Sequence, residues 1–435
     1  MILVGGFGGG SVWRLSAAGG KPQAVTTSTA PQTGHRYPQF LPDGRHFFFY
    51  VNGPPEVRGV YIGDLDSMET KRLADAETTG VFGPPDLVLF VRQATLYAQH
   101  VDLNKLAPTG DPFVIANNIE TGSLASAGQP GYSVSMGGTL VYRGTGRGTA
   151  RQLTWFNRTG KPLATLGDAD RADSGKPRLS PDGRYVAIER RVNGNDDLWL
   201  IETARGVLRR ITFDPAFEGY PVWSPDGTQL FFNSYLRGKT DLYVMSIADA
   251  TSGTALLETA DAKNPGDWSS DGRFILYDSA GTLWALPLQG DRKPLPINTR
   301  VATTGNARFS PDGRWVAYVS AESGASEIYV QPFPGPGAGK RISTTGGRWP
   351  EWRRDGRELF YLTPDDRLMA VALTQNGQTL EAGSPASLFT LHIQPPPTAH
   401  QYAVAPDGQR FLVNTIVGEG ETAPITVVLN WKAKP

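Results

Sequence analysis

Trp223-Ser224-Pro225-Asp226-Gly227-Thr228-Gln229-Leu230-Phe231-Phe232 carries the local pattern that most of the chain repeats. An apolar side chain stands three residues before an Asp-Gly pair, and further apolar side chains follow four and six residues after the Asp. This describes a strand entering a tight turn and a second strand leaving it with one face buried. Pro pre-sets φ, Asp bonds its own downstream backbone and Gly accepts positive φ, so the repeated Asp is expected to be architectural. The same Asp-Gly occurs at Asp43, Asp182, Asp226, Asp271, Asp312, Asp355 and Asp407, and five copies read Pro-Asp-Gly. The preceding apolar residue is Phe40, Leu179, Trp223, Trp268, Phe309, Trp352 or Val404. A third strand is read in Leu242-Tyr243-Val244 and Ile328-Tyr329-Val330, and a more polar fourth in Arg209-Arg210-Ile211-Thr212 and Arg341-Ile342-Ser343.

From Asp182 onward the motif recurs about every 41 to 52 residues, the period of a four-stranded propeller blade. The predicted class is all-β, a propeller of four-stranded blades, in which neighbouring units bury faces that one unit could not bury alone. Six regular motifs predict a six-bladed propeller over residues 149–435. Worn copies at Pro85-Asp86 and Gly137-Gly138, with three apolar runs in residues 1–26, predict an incomplete amino-terminal propeller portion of about four blade units over residues 1–148. The boundary is placed in Arg143-Gly144-Thr145-Gly146-Arg147-Gly148. One large ring of eight or more blades is the alternative. The first unit begins at its second strand, which predicts that the chain is the carboxy-terminal part of a longer protein. Ile425-Thr426-Val427-Val428-Leu429-Asn430-Trp431 reads as a strand able to close a ring by pairing with an early strand.

Composition narrows the class further. Lys plus Arg equals Asp plus Glu at 42 each, so no overall field favours nucleic acid or an anionic membrane. There is no cysteine, which excludes disulfides, thiol chemistry and thiolate metal sites. No apolar run approaches the roughly 18 residues of a membrane span, and the start, Met1-Ile2-Leu3-Val4-Gly5, shows no signal peptide. Fifty-one Gly and 34 Pro go largely to turns.

The Trp/Phe-Ser-Pro-Asp-Gly-Arg pattern, followed by a strand of Asp-Leu-Tyr-Val type, resembles the WD40-like (PD40) repeats of TolB-type propellers. Tyr37-Pro38-Gln39-Phe40-Leu41-Pro42-Asp43-Gly44-Arg45-His46, Ile328-Tyr329-Val330-Gln331-Pro332-Phe333-Pro334-Gly335-Pro336-Gly337 and Pro424-Ile425-Thr426-Val427-Val428-Leu429-Asn430-Trp431 resemble, more narrowly, the propeller region of bacterial receptor serine/threonine kinases of acidobacterial type. That resemblance implies an extracytoplasmic sensor or interaction surface. It departs from the family in one large respect, because kinase domain and membrane span are absent from this sequence.

Catalytic motifs fail on inspection. Gly5-Gly6-Phe7-Gly8-Gly9-Gly10-Ser11-Val12 has Ser11 where a kinase glycine-rich loop needs its third glycine, and no V-A-I-K, H-R-D or D-F-G follows. Gly238-Lys239-Thr240 lacks the glycine that a phosphate-binding loop places five residues earlier, where Asn233 stands. No Gly-x-Ser-x-Gly occurs. His35, His46, His100, His392 and His400 are scattered without metal-ligand spacing and read mostly as loop or surface residues. The acidic groups Asp168, Asp170 and Asp173, and Asp196 and Asp197, read as solvated loops rather than calcium sites. No catalytic, cofactor-binding or metal residue is assigned.

One constellation is a candidate site. Four residues before the turn Asp, on the innermost strand, stand Arg178, Asp267, Arg308 and Glu351, with Val222 and Ala403 in the other two blades. Alternation turns them away from the Trp/Phe row and toward the central channel. They are expected either to contact a polar ligand or peptide end, or to form mutually satisfied ion pairs. Trp349, an odd number of positions from Trp352, is expected on the channel or loop side, available to a partner. The expected function is a non-catalytic sensor or scaffold that binds a protein, peptide or glycan. The alternatives are a channel enzyme (lyase or glycoside hydrolase) and a propeller associated with a serine peptidase.

Overall fold

The computed structural model describes all residues except 6–9, 33, 120–127, 145–149, 173, 193–194, 215, 237–239, 249–252, 260, 299–305, 336, 377–378, 394–399, 418–424, 430 and 432–435. The described residues form antiparallel β-sheets and no α-helix. They fall into two compact units, Met1–Thr149 with Glu419–Pro435, and Ala150–Leu236 with Thr240–Gly418.

The second unit is a six-bladed propeller. Five blades are built from consecutive strands and begin with the innermost strands Ser174–Leu179, Glu218–Trp223, Asn264–Trp268, Arg308–Phe309 and Arg348–Trp352. The sixth combines the two ends of the unit: Tyr402–Val404 and Arg410–Val417 pair with Ala150–Asn157 and Pro162–Asp170. The six innermost strands touch one another in sequence, and the last touches the first, so the ring closes at six. The single ring of eight or more blades is therefore not formed.

Each turn is built as its residues dictate. Ser180 Oγ donates to Asp182 Oδ1 at 2.6 Å and accepts from the Tyr185 amide at 3.0 Å, while the Arg184 amide donates to the same carboxylate oxygen. Gly183 follows at φ 71°. The same arrangement recurs around Asp226, Asp271 and Asp312. The cores lie between blades. Trp315, Val319 and Ile328 of the fourth blade pack on Trp352, Leu359 and Tyr361 of the fifth, and each such side chain contributes about 2 kcal/mol when fully buried. Two indoles also stitch neighbouring blades: Trp223 Nε1 donates to the Arg178 carbonyl at 2.9 Å and Trp352 Nε1 to that of Arg308 at 3.3 Å.

The first unit holds four sheets. Ile2–Val4, Trp13–Leu15 and Gln23–Ala24 form the first, and the next two, beginning at Gly34–Phe40 and Val81–Gly83, have four strands each. The last joins Tyr132–Val134 and Leu140–Arg143 to Ile425–Val428 from the far end of the chain. That final strand thus lies in the first unit rather than with the rest of 149–435. Its burial explains why: Val428 and Trp431 pack on a cluster containing Leu89, Leu96 and Leu140, and Trp431 Nε1 donates to the Gly138 carbonyl at 2.8 Å.

Candidate functional site

Three inner strands of the six-bladed unit share a local device that strand alternation does not anticipate. Lys176, Tyr220 and Trp349 have φ of 54°, 57° and 56°, each is followed by proline, and the pairing register breaks there, between Gly175 and Arg178, Gly219 and Val222, and Arg348 and Glu351. Such a bulge leaves a residue unpaired and bends the strand, and proline, lacking an N–H, is tolerated in it. The two-residue alternation resumes only beyond the bulge, where it presents Arg178, Val222 and Glu351.

Glu351 is the hub of the channel. Its Oε1 accepts from Arg178 Nη1 at 2.5 Å and from Arg308 Nε at 3.0 Å. Arg178 is in the first blade and Glu351 in the fifth, so the pair reaches past the sixth blade. Arg308 is the more enclosed cation. Its Nη1 donates to the carbonyls of Gly266 at 2.6 Å and Ala307 at 2.8 Å, and its Nη2 stands 3.5 Å from His400 Nδ1. Asp267 Oδ2 accepts from the Phe309 amide at 2.9 Å. Burial pushes the Asp267 carboxyl up to about 7, with Arg178 opposing and Glu351 adding to the rise. Burial raises Glu351 as well, against the pull of Arg178.

Two residues complete this group. His400 is 3% exposed; burial first, and Arg178 second, hold its imidazole well below its ordinary value, so its Nδ1 is an acceptor for Arg308. Its Nε2 lies 3.6 Å from Glu351 Oε1. Tyr402, fully buried, donates its hydroxyl to the Trp349 carbonyl at 2.6 Å. Sequence reading placed His400 among surface or loop histidines, since a lone His between loop residues carries no spacing signal. His35 is likewise buried, bonded to Thr26 and Gln32.

Trp349 corrects another expectation. It is 5% exposed, stacked on His400 with ring centroids 5.5 Å apart and 7° between planes, and packed with Phe360, Leu362 and Tyr402. The bulge turns its indole into the core between the fifth and sixth blades, leaving no face for a partner. Arg178, Arg308 and Glu351 meet in ion pairs, and Asp267 bonds the Phe309 amide next to Arg308.

The acidic groups are also more structured than solvated loops. Asp170 takes Arg190 Nε at 2.5 Å, Asp196 takes Arg191 at 2.8 Å and Asp197 takes Arg210 at 2.8 Å; Asp173 lies outside the described residues, as do Gly238, Lys239 and the middle of the Gly5–Val12 stretch. Lys176 is buried on Glu189, 2.7 Å away, and over the Tyr220 ring at 3.2 Å. Among the described residues no group of three or more His, Asp or Glu is placed to hold a metal ion.

The second unit is thus a ring of six blades built on Asp-Gly turns. Residues 168–283 match the family model of the TolB beta propeller domain. An uncharacterized protein of Agrobacterium fabrum is 32% identical over 108 residues, 24% of this chain and 37% of that protein. Tricorn protease homolog 1 of Streptomyces coelicolor is 32% identical over 95 residues, 21% of this chain and 9% of that protein. The chain thus matches well under half the length of either relative. Among solved structures, a putative TolB from Agrobacterium tumefaciens aligns at 19% identity with a TM-score of 0.48, over 62% of this chain and 99% of that one. TolB from Acinetobacter baumannii aligns at 16% identity with a TM-score of 0.43, over 71% and 82%.

Proposed function

We propose that this chain is a non-catalytic binding module for a protein, peptide or glycan, that its site is the channel of the six-bladed unit, and that it serves as the sensor portion of a bacterial signalling protein of the receptor serine/threonine kinase type. One observation carries the choice of a binding role over catalysis. Glu351, which a channel hydrolase would need as a free carboxylate, is held between two guanidinium groups. Paired carboxylates in a glycoside hydrolase act on opposite sides of a bond, one giving a proton and one receiving or attacking; here Glu351 Oε1 is committed to two arginines and Asp267 to the Phe309 amide, an arrangement suited to ion pairing and anchoring. The peptidase-associated reading draws on the short match to the tricorn protease homolog, and the lack of Gly-x-Ser-x-Gly in the sequence weighs against a nucleophile here.

Peptide and glycan arrays probed with the protein and with an Arg308→Ala/Glu351→Ala double variant test this reading. Binders kept by the wild type and lost by the variant support it. Equal binding by both moves the site off the channel, and turnover of an arrayed substrate makes the protein an enzyme. The receptor part is tested by sequencing the source DNA upstream of Met1: a frame running back through a membrane span into a kinase supports it, and an immediate stop codon removes it. Among the described residues no helix is long and apolar enough to cross a membrane.

A further inference from the structure

We infer that the channel recognises a carboxylate flanked by an N–H group, the chemistry of a peptide carboxy terminus, with the free edge of the Arg178 guanidinium as its anchor. This rests on the channel being the binding site and goes beyond it by naming the ligand group.

Arg178 and Arg308 differ in what they have left to give. Arg308 is 4% exposed on its side chain and places Nε and Nη1 on protein oxygens and Nη2 toward His400. Arg178 keeps 17% of its side chain accessible and uses Nη1 alone, on Glu351. Among the described residues its Nε and Nη2 have no protein acceptor. Those two N–H groups form one side of the planar fork that binds a carboxylate through two parallel hydrogen bonds.

The neighbouring acceptor gives the second half of the pattern. Glu351 bonds the arginines through Oε1 only, keeps 16% of its side chain accessible and leaves Oε2 free. Asp267 is already engaged, accepting from the Phe309 amide through Oδ2 and from the Trp268 amide. The two free donors of Arg178 beside the free Glu351 Oε2 match a ligand whose carboxylate lies next to an N–H, as in the last residue of a peptide. Two fixed cations, Arg178 and Arg308, meet the single Glu351 carboxylate.

The test follows the Arg178 Nε–H resonance of the intact protein by NMR during titration with acetyl-triglycine, its carboxy-terminal amide, and free glycine. Acetyl-triglycine is expected to shift that resonance saturably and the amide to leave it unmoved; a response to glycine of equal size would assign the site to free amino acids instead of peptide ends and overturn the peptide source. Arg178→Lys, which keeps the charge and loses the fork, is expected to weaken acetyl-triglycine at least about tenfold with its thermal midpoint checked alongside. Equal shifts from acid and amide, or none up to saturating probe, overturn the inference. If arrayed ligands still depend on Arg308 and Glu351 in that case, only the carboxylate assignment fails; if none does, the channel reading fails with it.

Discussion

Glu351 shows how one side chain can hold a ring together. Removing a single partner from an enclosed ion-pair network leaves the others charged without compensation, and that costs more than the pair contributes. Glu351→Ala, which strands Arg178 and Arg308, is expected to lower stability by about 3 kcal/mol, measured by urea unfolding at neutral pH. Asp267 has the opposite character. Its carboxyl ionises at about 7 when folded and at about 4 when unfolded, so between those values the folded protein keeps a proton the unfolded chain has released. The stability it contributes is fully present below about pH 4 and is lost as pH rises through about 7. Asp267→Asn is expected to flatten that falling limb; an unchanged slope between pH 5 and 8 would place the titration elsewhere.

At the scale of the strand and turn, the Asp-Gly hairpin is a matter of backbone conformation more than of contact. Gly183 has φ 71°, and a Cβ built there meets no atom within 4 Å. Gly183→Ala should therefore cost about 1 kcal/mol from left-handed strain alone, and Gly183→Asn distinctly less, because Asn tolerates that region. Equal losses for the two in thermal unfolding would mean that space, not φ, limits the position. The inner-strand bulge is the second element-level device. It inserts an irregularity two residues before the channel position, so Arg178 and Glu351 face the axis while Trp349 is folded back into the core.

At the scale of the molecule, closure of the second unit decides its cooperativity. The sixth blade is made by Ala150–Asn157 pairing with Arg410–Val417 across the whole length of the unit, with Thr154 and Thr415 hydroxyls 3.2 Å apart. Deleting residues 150–170 is expected to strip hydrogen-exchange protection from the inner strands of all six blades, since each blade buries its faces only against its neighbours. Protection retained in the second to fourth blades would show that the arc stands without its closure. Phe411, fully buried in that blade, gives a milder version: Phe411→Ala is expected to cost about 3–5 kcal/mol, read as a lower denaturant midpoint.

Much of this was legible from residues 223–232 and their copies. The turn chemistry, the two-residue alternation and the blade period are local properties, encoded within a few residues of one another, and they sufficed for the propeller class and the six regular blades and singled out Arg178, Arg308 and Glu351, which meet in ion pairs. What the local pattern could not carry was long-range placement. Ile425–Val428 pairs with the early strand Leu140–Arg143, as its reading as a closing strand expected, but that this places it in the first unit follows only from the apolar cluster around Leu89 and Leu140 that receives Val428 and Trp431. The positive φ of Trp349 breaks the alternation from which its exposure was read, and His400 enters the site from a loop with no motif of its own. Sequence by itself determined the repeated unit, because hairpins are specified by neighbours in the chain. Only the tertiary structure decided which charges meet at the axis, because residues as far apart as Arg178 and Glu351 are brought within 2.5 Å solely by closing the ring.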